Sequence, residues 1–128
     1  MPVSRIRISF SEPGFSIGDI NAVRDWGYAK DYIYGMWLMA QQCKPKDYIL
    51  ATGCGHSVRD ILSCAAGKLE IDYEKVVKQD SGLIDALPKT ILIGDPTLAQ
   101  TELGWKCSVS FEGLVDLMLR NEMDHKLD

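Results

Sequence analysis

The stretch "DYILATGCGHSVRDILSCAAGKL", residues 47–69, decides the fold class of this chain. Residues 47–53 have the apolar pattern, ended by glycine, that is typical of a short buried strand. Ser57 and Asp60 have the spacing of a capping box, in which two side chains each accept a hydrogen bond from a backbone N–H at the start of a helix. The helix that follows has one apolar side, formed by Val58, Ile61, Leu62 and Ala65. The stretch therefore predicts a strand, a glycine-rich turn and a helix in succession.

The same alternation continues along the rest of the chain. Residues 12–21 predict a turn, a short strand and a second turn, and residues 75–78 and 90–95 predict further short strands. Residues 95–104 predict a helix with an aspartate cap, a proline at its first position and a glycine at its exit. Ser110 is placed to cap a last helix. Short strands that alternate with about four helices indicate the α/β class.

One further helix is predicted between residues 28 and 42. Its apolar positions recur at helical spacing and are Ala29, Tyr32, Ile33, Met36, Trp37 and Ala40. Large apolar side chains at this spacing usually face the interior, so we interpret Met36 and Trp37 as core residues.

Length and composition exclude several classes of protein. The 128 residues are enough for one domain, residues 1–128, with a modest core. The net charge is −4 and Lys and Arg form no cluster, which argues against a nucleic-acid partner. No apolar run is long enough to cross a membrane, and the first residues lack the apolar core of a signal peptide, so we expect a cytoplasmic protein. The four cysteines fit no zinc spacing, so we expect reduced thiols and no metal.

Two short segments are candidate anion sites. In residues 52–60, backbone N–H groups of a glycine-rich turn and the fork of Arg59 can face a phosphate. A dinucleotide turn needs a third glycine where Val58 stands, so the alternative is a turn that uses glycine for its backbone freedom. Arg24 can grip a diphosphate, or it can form a surface ion pair with its neighbour Asp25. The local sequence leaves both pairs of alternatives open.

Four segments occur in an order and with gaps that are typical of one family: "RDWGYAKDYIYGMWLMAQQ", "DYILATGCGHSVRD", "IDYEKVVK" and "IGDPTLAQTELGWKCSVSFEGLV". From about Arg5 to the last helix, the chain resembles the C-terminal third of GDP-mannose 4,6-dehydratase, an extended short-chain dehydrogenase/reductase. The resemblance implies a fold like the substrate-binding part of such an enzyme, without the Rossmann half. In that family the N-terminal part supplies the NADP-binding turn, a Thr/Glu pair and a Tyr-x-x-x-Lys motif. None of these is present here, so we expect no catalytic residue, no bound cofactor and no dehydratase activity from this chain alone.

The resemblance also implies which residues bind substrate. The arginines of the family's "RDWG" and "HSVR" segments contribute to GDP binding and match Arg24 and Arg59, and a family glutamate matches Asp60. A further family arginine that faces the diphosphate falls on Asp85. Like charges about 4 Å apart repel by about 4 kcal/mol at an effective dielectric constant of about 20. We therefore expect only weak affinity for GDP or a GDP-sugar.

Three functions are consistent with this pattern. The first is a truncated GDP-mannose 4,6-dehydratase-like protein that binds nucleotide sugar. The second is a non-catalytic, homo-oligomeric interaction module with a vestigial pocket, and the third is one half of a split dehydratase. The resemblance implies that the strand at residues 47–53 and the helix face around Met36 and Trp37 lose the cover of the Rossmann half. Because exposed strand edges and apolar patches favour association, we expect a homo-oligomer.

Overall fold

The computed structural model describes residues 14–83 and 91–124. It has the small α/β fold that the sequence predicts, with short strands and four α-helices within those residues. The strands are β1 (Ser16–Ile17), β2 (Val23–Asp25), β3 (Gly55–Ser57) and β4 (Lys78–Gln79). The helices are α1 (Ala29–Ala40), α2 (Val58–Leu69), α3 (Thr97–Leu103) and α4 (Phe111–Asp124), and two 3-10 turns lie at Tyr73–Lys75 and Ser81–Leu83.

The strands form two small ladders. Strand β1 pairs in parallel with β4, and β2 pairs in antiparallel fashion with β3. On its other side, β2 makes a single parallel bridge between Arg24 and Leu92. Strand β2 therefore lies between β3 and the segment around Leu92.

Local capping signals place the starts of α2 and α4 and the end of α3 where the sequence predicts them, whereas α3 begins one residue later than predicted, with Pro96 at its N-cap position. The Ser57 hydroxyl accepts a hydrogen bond from the Asp60 N–H at 3.1 Å, and the Asp60 carboxylate accepts one from the Ser57 N–H at 2.7 Å, so the predicted capping box is confirmed. The predicted exit of α3 is confirmed at Gly104, which has a φ of 65° in the left-handed region that favours glycine. The hydroxyl of Ser110 accepts the Gly113 N–H at 3.1 Å and so caps α4.

Trp105 lies at the centre of the core and is only 1% exposed. Its indole N–H donates to the backbone oxygen of Asp31 at 2.7 Å, and its ring stacks on Tyr32. The carboxylate of Asp31 is buried and accepts hydrogen bonds from Ser108, at 2.8 Å from the N–H and 2.6 Å from the hydroxyl. These contacts join α1 to the segment between α3 and α4, and α1 also packs against α3.

The interpretation of Met36 and Trp37 as core residues is wrong, because they are 62% and 55% exposed. Helix α1 instead turns Asp31 and Gly35 to the interior. A Cβ atom at Gly35 would lie 2.6 Å from Leu50 and 2.9 Å from Trp105, so the absence of a side chain lets the core approach the helix there. The apolar face that the sequence marks therefore points outward.

The predicted buried strand at residues 47–53 is also wrong, since this segment pairs with no strand of the described residues and Ile49 is 56% exposed. Residues 90–95 contribute only the bridge at Leu92, and the strand predicted at 75–78 is displaced to Lys78–Gln79. The predicted strand near the start is confirmed as β1, whereas β2 and β3 were not predicted. A strand needs a hydrogen-bonding neighbour, and an apolar pattern alone does not provide one.

Candidate functional site

The β2–β3 ladder brings the two candidate arginines onto adjoining segments. Arg24 stands opposite His56 in the antiparallel register, and Arg59 follows in the first turn of α2. The N–H of Arg59 donates to the Ile20 oxygen at 2.8 Å, and the N–H of Val58 donates to the Ala22 oxygen at 3.2 Å. The start of α2 is thereby fastened to the turn that leads into β2.

The guanidinium of Arg59 lies between two neutral side chains. Its Nε and Nη2 are 3.4 and 3.3 Å from the Asn21 side-chain oxygen, and its Nη1 is 3.2 Å from the Tyr73 hydroxyl oxygen. No binding role for Asn21 or Tyr73 was predicted from the sequence. Their contacts with Arg59 span 38 and 14 positions of sequence, so no local pattern indicates them.

Arg24 is exposed, and its Nη1 donates to the backbone oxygen of Val23 at 2.7 Å. One of the two alternatives for Arg24 was a surface ion pair with the Asp25 carboxylate. The hydrogen bonds of that carboxylate go instead to Thr52, Gly53 and Gly94. Successive strand residues point to opposite faces of a strand, so the side chains of Arg24 and Asp25 contact different parts of the chain.

The Asp25 carboxylate fastens three segments together. Its Oδ1 accepts the N–H of Thr52 at 2.9 Å and the Thr52 hydroxyl at 2.6 Å. Its Oδ2 accepts the N–H of Gly53 at 3.0 Å and that of Gly94 at 3.4 Å. Burial opposes ionisation of this carboxyl, but the four hydrogen bonds outweigh burial and hold the pKa of Asp25 below its ordinary value. Asp25 thus connects β2 to the glycine-rich turn and to the segment around Gly94.

The N–H groups that could have formed a backbone anion site are used within the chain. In the turn, those of Thr52 and Gly53 donate to Asp25, and that of Cys54 donates to the Thr52 hydroxyl at 3.1 Å. At the start of α2, the N–H groups of Ser57, Val58, Arg59 and Asp60 all have partners inside the protein. Gly53 has a φ of 78°, so this turn uses glycine for its backbone freedom. Any anion bound here must be held by side chains.

Asp60, the third candidate binding residue, belongs to the capping box of α2. Its Oδ2 accepts hydrogen bonds from the N–H and the hydroxyl of Ser57 at 2.7 and 2.8 Å. Those two bonds lower the pKa of the Asp60 carboxyl from its ordinary value. Its expected role toward a ligand stays a prediction, and the geometry gives it a clear role in starting the helix that carries Arg59.

Trp26 and Gly27 form the corner between β2 and α1. The Trp26 indole N–H donates to the backbone oxygen of His56 at 3.0 Å. A Cβ atom at Gly27 would collide with the far end of the Tyr32 side chain, so Tyr32 would have to shift to admit any other residue. The imidazole of His56 stacks on Phe111 with ring centroids 3.8 Å apart. The corner and the stack hold β2 and β3 against α1 and α4.

The described part of the chain has neither a metal-binding cluster nor a membrane-spanning helix. Among residues 14–83 and 91–124, no three His, Cys, Asp or Glu side chains lie close enough together to hold a metal ion. Within the same residues, no helix combines the length and the apolar character that crossing a membrane requires. Asp85, where the resemblance implies loss of a cation, lies outside the described residues.

The model of one protein family, GDP-mannose 4,6 dehydratase, matches residues 3–118. The chain belongs to this family. GDP-mannose 4,6 dehydratase 2 of Arabidopsis thaliana is 38% identical over 122 residues, which cover 95% of this chain and 32% of the relative. The human enzyme, named GDP-mannose 4,6 dehydratase, is 35% identical and is covered to 34%, and that of Vibrio cholerae is 30% identical and is covered to 36%. The chain thus spans about a third of the length of these curated relatives, and its resemblance to the family is confirmed.

Solved structures show the same fold. UDP-glucose 4-epimerase of Thermotoga maritima, solved with UDP-glucose, superposes with a TM-score of 0.73 at 25% identity over 90% of this chain and 36% of that one. dTDP-glucose 4,6-dehydratase of Bacillus anthracis, solved with NAD, gives a TM-score of 0.70 at 16% identity over 87% of this chain and 36% of that one. This fold is therefore also found as a minor part of longer enzyme chains outside the family.

Proposed function

We propose that this chain is a cytoplasmic nucleotide-sugar-binding segment of the GDP-mannose 4,6-dehydratase type. It binds GDP or a GDP-sugar weakly through Arg24 and Arg59, and it has no dehydratase activity alone. The observation that carries the proposal is the placement of Arg59, whose guanidinium is held by two neutral side chains at the start of α2 in a member of this family. An arginine held in this way keeps its charge and can bind a diphosphate as a fork.

We assign no catalytic or cofactor-binding residue to this chain. The described residues do not fit NADP, because the N–H groups of the glycine-rich turn are taken by Asp25 and Thr52. The chain also spans only about a third of its relatives, which have the length to hold a cofactor elsewhere. Oxidation and reduction of the sugar therefore form no part of the proposal.

Isothermal titration calorimetry with GDP and GDP-mannose tests the binding role. We expect weak binding by the wild type and a loss of at least about tenfold in affinity for Arg24→Ala and for Arg59→Ala, since each removes a charge-assisted contact. The matched control is Arg120→Ala, which removes an equally charged side chain that pairs with Asp116 on α4. Absence of heat with the wild type, or equal affinities for all variants, would contradict the proposal.

A second candidate function is a homo-oligomeric interaction module, and one observation favours it. Four large apolar side chains on one side of α1 are exposed: Ile33, Tyr34, Met36 and Trp37. Exposed apolar side chains grouped on one helix face favour association, and we propose a second copy of the chain as their partner. Light scattering at micromolar concentration should give a mass above that of the monomer, and Trp37→Glu should lower it. Lys75→Glu, which reverses an exposed charge on the 3-10 turn at Tyr73–Lys75, is the control, and a monomeric wild type would refute self-association.

A further inference from the structure

Asn21 and Tyr73 contact the Arg59 guanidinium from two different segments. Asn21 lies in the turn before β2, and Tyr73 begins the 3-10 turn that follows α2. We propose that Asn21 and Tyr73 are positioning residues that hold Arg59 in the orientation that binds the diphosphate of a nucleotide. This inference rests on the proposed function and adds to it the two residues that prepare its central cation.

Both partners are themselves fixed. The N–H of Asn21 donates to the Asp19 carboxylate at 3.0 Å, and the following N–H, of Ala22, donates to the Asp19 backbone oxygen at 3.2 Å. Tyr73 follows Asp72, whose side chain accepts the Glu74 N–H at 3.1 Å and so caps the 3-10 turn. The Arg59 side chain is thus held between two anchored turns, while its own backbone is fastened to Ile20.

The arrangement leaves part of the guanidinium available to a ligand. Arginine carries five N–H donors, and three of those of Arg59 point to Asn21 and Tyr73. Within the described residues, the other two have no hydrogen-bond partner, and two donors are what a bidentate contact with phosphate uses.

The neutrality of both partners matters as much as their position. A carboxylate in either place would offset the positive charge of Arg59, whereas an amide oxygen and a phenol oxygen orient it and leave the charge in place. The nearest acid in the sequence, Asp60, is bound to Ser57 in the capping box. Because Arg59 is exposed and has many rotamers when unrestrained, holding it in advance lowers the entropy that binding must overcome.

Calorimetric titration of Tyr73→Phe and Asn21→Ala with GDP tests the inference. We expect each variant to bind GDP about threefold to tenfold more weakly than the wild type, because Arg59 must then be ordered on binding. In an Arg59→Ala background, neither substitution should weaken binding further, since the residue on which they act is gone. The matched control is Tyr48→Phe, which removes a hydroxyl that donates to Glu102 at 2.8 Å.

Guanosine serves as a second probe that separates positioning from general damage to the fold. A variant that merely perturbs the structure weakens guanosine and GDP binding alike, whereas loss of positioning weakens GDP and leaves guanosine unchanged. If wild-type GDP binding does not depend on Arg59, the proposed function and this inference both fail. If binding depends on Arg59 but Tyr73→Phe and Asn21→Ala bind GDP like the wild type, this inference alone is overturned. Additive losses in the Arg59→Ala background would overturn it as well.

Discussion

Replacing Asp25 by asparagine should lower the free energy of unfolding by about 2 to 4 kcal/mol at neutral pH. The carboxylate accepts four hydrogen bonds from Thr52, Gly53 and Gly94, and three of the donors are backbone N–H groups. Asparagine has the same size but only one acceptor oxygen. Its NH₂ group would face donors that have nothing to accept from it.

The magnitude follows from the donors that asparagine leaves without an acceptor. Whichever way the amide is turned, the two donors that faced the lost oxygen are affected: those of Thr52, or those of Gly53 and Gly94. Each donor left without an acceptor costs about 1 to 3 kcal/mol when it is buried. Two such donors would cost about 2 to 6 kcal/mol if fully buried. Asp25 is only partly buried, so water replaces part of each lost bond and the total falls in the lower half of that range, about 2 to 4 kcal/mol.

The effect should also depend on pH. The pKa of Asp25 is held below its ordinary value, so its ionised form stabilises the folded state above the pKa of the unfolded chain. That contribution is lost as the pH falls through the lowered pKa of the folded state. The difference in stability between the wild type and Asp25→Asn should therefore be largest near neutral pH and should narrow in acid.

Urea unfolding followed by tryptophan fluorescence, at about pH 7 and about pH 3, measures both quantities. The matched control is Asp95→Asn, because Asp95 uses only its Oδ1 to accept the N–H and the hydroxyl of Thr97, which asparagine can also do. We expect a change below about 0.5 kcal/mol for that variant, since asparagine and aspartate cap helices about equally well. If Asp25→Asn is no less stable than Asp95→Asn, or if its deficit is the same at both pH values, the account of Asp25 is wrong.

Three further predictions concern the core, the corner and the candidate site. Asp31→Ala should destabilise the protein by about 3 kcal/mol in urea unfolding and Ser108→Ala by less, because the first change removes a buried carboxylate and leaves the Ser108 N–H without an acceptor. Gly27→Ala should cost about 1 to 3 kcal/mol in the same assay, since the new methyl group collides with Tyr32. Asp85→Arg should strengthen GDP binding at least about tenfold by calorimetry, because it replaces a repulsive charge by an attractive one. An unchanged affinity would show that Asp85 does not face the diphosphate.

Signals that act over three or four residues predicted their structures correctly. The capping box of Ser57 and Asp60, the exit at Gly104 and the cap at Ser110 are all confirmed. Each of these features depends only on backbone groups within three or four residues of it, in the same turn of the helix. The helices, and through the cap of α2 the position of Arg59, could therefore be derived from sequence.

Features that depend on distant neighbours could not be derived in this way. The apolar pattern of α1 marked Met36 and Trp37, whereas the core reaches the helix at Gly35, where Leu50 and Trp105 need the space. The hydrogen bonds of Asp25 reach 27 to 69 positions along the chain. Residues 47–53 have the apolar pattern of a strand, but this segment pairs with no strand of the described residues, and Ile49 is exposed.

The candidate site also combines residues that could be predicted from the sequence with contacts that could not. Arg24 and Arg59 were indicated by resemblance, but the fate of the nearby backbone N–H groups emerges only from the structure, which uses those of Thr52 to Cys54 and of Ser57 to Asp60 internally. A site built on backbone N–H groups tolerates the loss of one side chain, since its dipoles remain. In the site proposed here, side-chain cations alone attract the anion, so each cation carries a larger share of the affinity and salt should weaken binding strongly. We therefore expect Asp85, which stands in place of a family arginine, to weaken the binding of a nucleotide sugar strongly.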